Sequence, residues 1–351
     1  MLRIGIPAFY SIAFALPLLA VVVFTPVAAG LARRLGVMDR PTEGKYHHVE
    51  TPYLGGAAIA AGMAVAAGLT AGAERELLVI LVSALVLSLV GLADDQRFVR
   101  PWTKVGVEAL AAVALWLVGV RAGLFSSVPL DLALTILFVV AVTNAVNMLD
   151  NMDGLAAGVA AVSALTFAVI AGGRGDYLVT ALALAVAGSS LGFLRYNFPP
   201  ARVFLGDAGT LMIGFLLAAL GLKLDLVGEN GFIRTAVPVL ALGVPLFDAI
   251  LVILDRRRGG RPVYKGGTDH SSHRLATLGL TGRRIALMMY GLQAAASAVA
   301  IWILHAPWPV ALGAVLFSVV AGLVLLIVFL RMPHRQPADT VLVPSEHPPP
   351  R

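Results

Sequence analysis

Asp94 and Asp95 stand side by side in Gly91-Leu92-Ala93-Asp94-Asp95-Gln96-Arg97-Phe98, with Lys104 a short way downstream. Adjacent carboxylates repel unless a divalent metal, a lysine or a shared proton lies between them, which suits metal handling or a base of raised pKa. A second stretch places Asn144, Asn147, Asp150 and Asp153 at every third residue, ending in Gly154. In a continuous α-helix that spacing drifts by about 60° per step, so the four groups converge only where the helix tightens or breaks. Asn151 and Gly154 tolerate the left-handed backbone of such a break. A third stretch, Tyr196 to Thr210, contains Asn197 and Phe204 and leads through Gly206-Asp207-Ala208-Gly209 into an apolar run. Its glycines would let a phosphate or metal approach a helix N-terminus, and Asp207 would also serve as an N-cap. The fourth holds Asp255-Arg256-Arg257-Arg258 and then Asp269-His270-Ser271-Ser272-His273-Arg274. Its histidines, three apart, could ligate metal or grip phosphate beside the fixed charge of Arg274, while the arginine run is what membrane anchoring alone predicts.

The elements that must position these groups are membrane helices. The chain of 351 residues is 59% hydrophobic and only 13% charged, with a mean hydropathy of +0.88, whereas soluble domains carry about 25% charge. Its apolar blocks approach the roughly 20 residues a helix needs to cross the hydrocarbon, and outer-membrane barrels show short alternating segments instead. The spacing predicts an all-α, polytopic bundle with about eleven spans, near 6–30, 55–73, 77–93, 103–120, 128–145, 155–172, 177–195, 208–224, 234–255, 285–304 and 309–331. The first block is too long for the core of a signal peptide. One membrane domain is expected over 1–331, followed by a polar, proline-rich tail over 332–351 that cannot bury enough surface to fold.

Of the 26 Lys and Arg residues, 20 fall on the side reached after the odd-numbered spans and 6 on the other. The positive-inside rule then puts the N-terminus outside, the C-terminus in the cytoplasm, and the four chemical stretches on one cytoplasmic face of the plasma (inner) membrane. A net charge of +6 and a pI near 9.9 follow from those loops and suit anionic lipid or anionic substrates rather than nucleic acid. The absence of cysteine removes disulfides and thiolate chemistry.

Taken in order, these stretches resemble the polyprenyl-phosphate N-acetylhexosamine-1-phosphate transferase family, glycosyltransferase family 4, which includes phospho-N-acetylmuramoyl-pentapeptide transferases. The resemblance runs from Asp39-Arg40-Pro41, Lys45-Tyr46-His47 and Thr51-Pro52 to His270–Leu275. It implies Mg²⁺-dependent transfer of a sugar 1-phosphate, with UDP-N-acetylglucosamine the favoured donor, to undecaprenyl or another polyprenyl phosphate, with release of UMP; Mn²⁺ is the alternative metal. By the same resemblance Asp207 is the metal ligand, and Asp94 and Asp95 activate or position the lipid phosphate. Lys45, Asp153 and Phe204 contact uracil, Asn147, Asp150 and Asn197 contact nucleoside or phosphate, and His270 and His273, with Lys104 and Arg274, hold the diphosphate or incoming phosphate. Family members are often homodimers. The chain departs from the family's His-x-His-His at Ser272, and has Asn151 for a glycine and Thr210 for a serine. Asp248, in Pro245-Leu246-Phe247-Asp248, fits the family pattern with either a buried partner role or a catalytic one. A pentapeptide transferase is the rival within the family. A secondary transporter or flippase is the rival outside it, and would place ionisable groups at the midplane on broken helices.

Overall fold

The computed structural model describes residues 5–39, 50–69, 74–224, 226, 228–264 and 266–333. Lys45, most of the Asp39–His47 motif and the 334–351 part of the tail therefore lie outside the described residues. Among the described residues thirteen helices account for nearly all regular structure: α1 (Ile6–Leu35), α2 (Gly55–Leu69), α3 (Arg75–Gln96), α4 (Pro101–Leu117), α5 (Val128–Leu149), α6 (Leu155–Gly173), α7 (Tyr177–Asn197), α8 (Gly206–Lys223), α9 (Gly231–Ala241), α10 (Gly243–Arg258), α11 (Ser271–Thr277), α12 (Gly282–Trp302) and α13 (Trp308–Arg331). One two-residue antiparallel pair, β1 (Met38–Asp39) with β2 (Thr51–Pro52), precedes α2.

Eight of these helices, α1, α3, α5, α6, α7, α8, α12 and α13, are long and apolar enough to cross a membrane. At 15 and 17 residues, α2 and α4 are shorter than a full span. The expected continuous span over 234–255 is instead two helices, α9 and α10, meeting at 81°. Pro238 lies inside the last turn of α9, and the chain leaves helical geometry at Leu242. The freed backbone groups find a partner in Gln293 of α12, whose Nε2 donates to Ala241 O (2.9 Å) and whose Oε1 accepts from Val244 N–H (3.0 Å). A kink in hydrocarbon needs such a substitute because no water is there to provide one.

Burial is graded across the bundle. Helix α8 is apolar all round and packs against α2, α3, α5, α6 and α7, so it forms the centre. Helix α13 lies at the edge and shows Leu316, Phe317, Val320, Leu323 and Val324 outward, as a lipid-facing helix should. Close approach to α8 depends on missing side chains: a Cβ on Gly91 of α3 would lie 2.3 Å from Asp207 O, and one on Gly56 of α2 would lie 2.3 Å from Gly209 N. Small residues at membrane helix contacts allow this backbone proximity. The N-terminus of α8 is thereby pressed against the C-terminus of α3, which brings Asp207 to the Asp94-Asp95 pair.

Candidate active site

The site forms where α3, α5 and α7 end and α4, α6 and α8 begin. Lys104, in the first turn of α4, extends its Nζ between two carboxylates, 2.7 Å from Asp94 Oδ2 and 2.7 Å from Asp207 Oδ2. Asp94 Oδ1 also accepts from Val99 N–H at 2.6 Å, which folds the α3–α4 loop back onto the pair. Asp95 faces elsewhere: its two oxygens accept from the N–H groups of Asp207 (2.8 Å) and Ala208 (3.1 Å). These are orphan donors of the first turn of α8, so Asp95 caps that helix from a neighbouring one. Asp207 is thus not the N-cap, and the two adjacent carboxylates face different partners, Asp94 the Lys104 ammonium and Asp95 the first turn of α8.

Helix α5 runs to Leu149, beyond the expected end near 145, so Asn144 and Asn147 lie on its last turns. Asn147 Nδ2 donates to Asp207 Oδ1 (2.9 Å) and Thr210 Oγ1 (2.8 Å), completing the cradle around Asp207. Asn144 Nδ2 donates instead to Glu108 Oε2 and to Val140 O. The break after Leu149 occurs as the spacing suggests, with Gly154 at φ +73°, while Asn151 keeps a negative φ. Asp150, just past the helix end, accepts from Gly206 N–H. Burial, with the negative charges of Asp207, Asp95 and Asp153, pushes its carboxyl up to about 8.

The same loop joins the histidine segment. Asn151 Oδ1 accepts from Ser272 Oγ, at the position where the family pattern has a histidine. Asp248 of α10 accepts His270 Nδ1 at 2.7 Å through Oδ2 and, through Oδ1, both N–H (2.8 Å) and Oγ (2.5 Å) of Ser271. Asp248 is therefore the anchor of this segment, the buried-partner reading of the two that its sequence position leaves open. The rings of His270 and His273 meet edge to face, with centroids 5.6 Å apart. Burial, together with His270 alongside, lowers His273 to about 4, so its imidazole is neutral near pH 7. Arg256 is buried rather than an exposed anchor: it forms two hydrogen bonds to Asp269, at 2.8 and 2.9 Å. Burial alone would raise Asp269, but Arg256 holds it at about 2.

Two residues expected at the substrate serve the scaffold here. Asn197 is 2% exposed and spans two loops, accepting from Gly154 N–H and donating to Val203 O, both at 3.0 Å. Arg274 is wholly buried; it donates to Asp269 O, Phe329 O and Met332 O and pairs with Asp255 at 2.7 Å. Asp153 accepts from Ala201 N–H at 2.8 Å. Phe204 lies in the loop whose carbonyls at Phe204 and Leu205 receive the first N–H groups of α2, and its ring is 5.9 Å from that of Tyr53. Glu108 escaped the sequence reading although a carboxylate one helical turn from Lys104 in an apolar segment was its signal.

Among the described residues no group of three or more His, Asp or Glu side chains is set to hold a metal ion. The donor chemistry nevertheless fits Mg²⁺, which commonly takes one or two carboxylates and completes its shell with water and substrate phosphates. Asp207 and Asp94 are such a pair, and the Lys104 ammonium between them shows that they share a positive charge.

A polytopic helical bundle thus gathers carboxylates, amides, a lysine and imidazoles at one set of helix ends, the residue types that position phosphate groups and neutralise their charge. Residues 77–225 match the family model described as glycosyl transferase family 4. The chain is 34% identical over 291 residues, 80% of each chain, to the "Probable undecaprenyl-phosphate N-acetylglucosaminyl 1-phosphate transferase" of Bacillus subtilis. It is 32% identical over 298 residues, 74% of each, to the decaprenyl-phosphate N-acetylglucosaminephosphotransferase of Mycobacterium tuberculosis. It is also 32% identical over 299 residues, 76% of this chain and 89% of the relative, to the phospho-N-acetylmuramoyl-pentapeptide-transferase of Moorella thermoacetica. The chain belongs to this family of polyprenyl-phosphate phosphoglycosyl transferases, and is an enzyme of the multi-pass membrane class.

Proposed function

We propose that the enzyme transfers N-acetylglucosamine 1-phosphate from UDP-N-acetylglucosamine to undecaprenyl or a related polyprenyl phosphate at the cytoplasmic face of the plasma membrane, releasing UMP. The observation that carries this reading is the shared ammonium of Lys104 between Asp94 and Asp207, held in register by Asn147. Phosphoryl transfer asks a protein mainly to position reactants and neutralise spreading charge. Those residues do so at a helix end, where a lipid phosphate and a soluble nucleotide can meet. Phe98 and Trp102, both strongly exposed, flank the site as interfacial aromatics do at headgroup level. The relatives named for N-acetylglucosamine transfer support that donor.

In the reaction an oxygen of the lipid phosphate attacks the sugar-bearing β-phosphorus directly. A new phosphorus–oxygen bond forms as the bond to the bridging oxygen breaks, and UMP leaves with the electron pair. Asp207, with Asp94, would hold Mg²⁺, which when bound supplies neutralisation of the diphosphate. Lys104 then offers its charge to phosphate oxygens. His273, neutral, donates or accepts a hydrogen bond, and the Asp248 contact fixes the orientation of His270. Asp95 acts through α8 by keeping Asp207 in place.

The Moorella relative favours a second donor, UDP-N-acetylmuramoyl-pentapeptide, with the same acceptor and leaving group. Purified enzyme offered each donor with polyprenyl phosphate distinguishes them. Glycolipid from UDP-N-acetylglucosamine alone is the expected result, and product from the pentapeptide donor alone would replace this reading.

A further inference from the structure

Glu108 is fully buried in α4, yet only one of its oxygens is engaged. Oε2 accepts from Asn144 Nδ2, and Oε1 has no hydrogen-bond partner among the described residues. A buried acceptor left unpaired costs about 1–3 kcal/mol, and more when charged. A partner that arrives in another state of the enzyme removes that cost. Residues four apart on a helix are neighbours on one face, and Lys104 is four before Glu108. Its stem is flexible, and its ammonium is now drawn the other way, to Asp94 and Asp207. Glu108 already lies within electrostatic reach of both Lys104 and Asp207.

We propose that Glu108 is the second counter-ion of Lys104, receiving the ammonium on Oε1 when Asp207 engages a divalent cation. This rests on the reading of Asp207 as the metal-holding residue. Between Asp94 and Asp207, the Lys104 ammonium keeps the two carboxylates compatible. Once Asp207 is engaged, an ammonium still wedged against it would oppose the metal charge. A carboxylate one turn further along α4 lets the ammonium leave Asp207 and still be neutralised on the same face of the helix. Glu108 is accordingly a positioning residue: it acts through Lys104 and, by its other oxygen, through Asn144.

The test is Mn²⁺ binding to the full chain in detergent, read by the loss of the free-ion electron paramagnetic resonance signal, without donor or acceptor present. Wild type, Glu108→Gln, Lys104→Met and the double variant are compared. Gln keeps the shape of Glu108 and an acceptor for Asn144 but cannot neutralise an ammonium. The expected result is about tenfold weaker binding in Glu108→Gln, the size of an ordinary coupling between sites. In the Lys104→Met background the same change should shift binding by less than about twofold, since no ammonium remains to be moved. Glu108→Asp, which withdraws the carboxylate by one methylene, should weaken binding in the same direction and serves if the Gln variant does not fold. Unchanged Mn²⁺ affinity in a folded Glu108 variant would overturn the inference, and so would an equal shift in both backgrounds, which marks a general field effect. Wild type that binds no Mn²⁺ would defeat the metal assignment to Asp207 and this inference together, whereas the first two results would leave that assignment standing.

Discussion

Replacing Asp207 by Asn would keep the size of the side chain but remove one of the two charges that Lys104 balances. If that charge holds metal and substrate phosphate in the transition state, Asp207→Asn lowers kcat by at least about 10²-fold, as losses of aligned charge stabilisation do. Steady-state kinetics on folded protein check it, and near-native turnover would remove Asp207 from the mechanism. His273 gives a prediction of a different kind. Its folded pKa of about 4 lies below the ordinary 6.5, so between those values the unfolded chain binds more protons. Stability associated with this group is therefore complete above pH 6.5 and is lost as pH falls toward about 4. Thermal unfolding of His273→Gln should lose part of the acid sensitivity seen in that window. An NMR titration of the His273 ring with a midpoint near 6.5 would contradict the burial argument.

The helices explain why some of the site was legible in the sequence and some was not. Asp94, Asp207 and Asn147 announce themselves because polar groups cluster at the ends of apolar runs, and the structure brings these three together with Lys104. Asp95 looked like half of a reactive pair, but side-chain direction at the end of α3 depends on how closely α8 approaches, and that depends on Gly91. Asn197 and Arg274 carry the polarity of ligand-binding groups, yet Asn197 joins Gly154 N–H to Val203 O, and Arg274 holds the carbonyls of Phe329 and Met332 at the end of α13 and the carboxylate of Asp255. The break between α9 and α10 was hidden because the run remains apolar through Pro238 and Leu242, and its compensation by Gln293 comes from another helix. Gln293→Leu should therefore destabilise the fold by about 1–3 kcal/mol, by leaving Ala241 O and Val244 N–H unpaired. An unchanged melting temperature would show that the break does not need this clamp.

At the scale of the molecule, the described fold confirms a many-helix membrane protein, with eight helices long enough to cross, or nine if the bent pair is one span. Its orientation is proposed from charge alone: the loops that carry the site are those expected to hold 20 of the 26 Lys and Arg residues, which on the positive-inside rule would put the anionic inner leaflet and the nucleotide donor on that side. The chain has no cysteine, so single-cysteine variants report topology without background. Gly173 and Gly266 are exposed, and a side chain at either would enter open space. In intact cells an impermeant maleimide should label Gly173→Cys, whereas Gly266→Cys should react only after the membrane is opened; the reverse pattern would invert the orientation.

The most direct measurement is UMP formation by purified enzyme from UDP-N-acetylglucosamine, with and without polyprenyl phosphate and with and without Mg²⁺. The account predicts UMP and glycolipid in equal amounts only when lipid phosphate and metal are both present. UMP formed in the absence of lipid phosphate, or turnover undiminished by metal chelation, would contradict it.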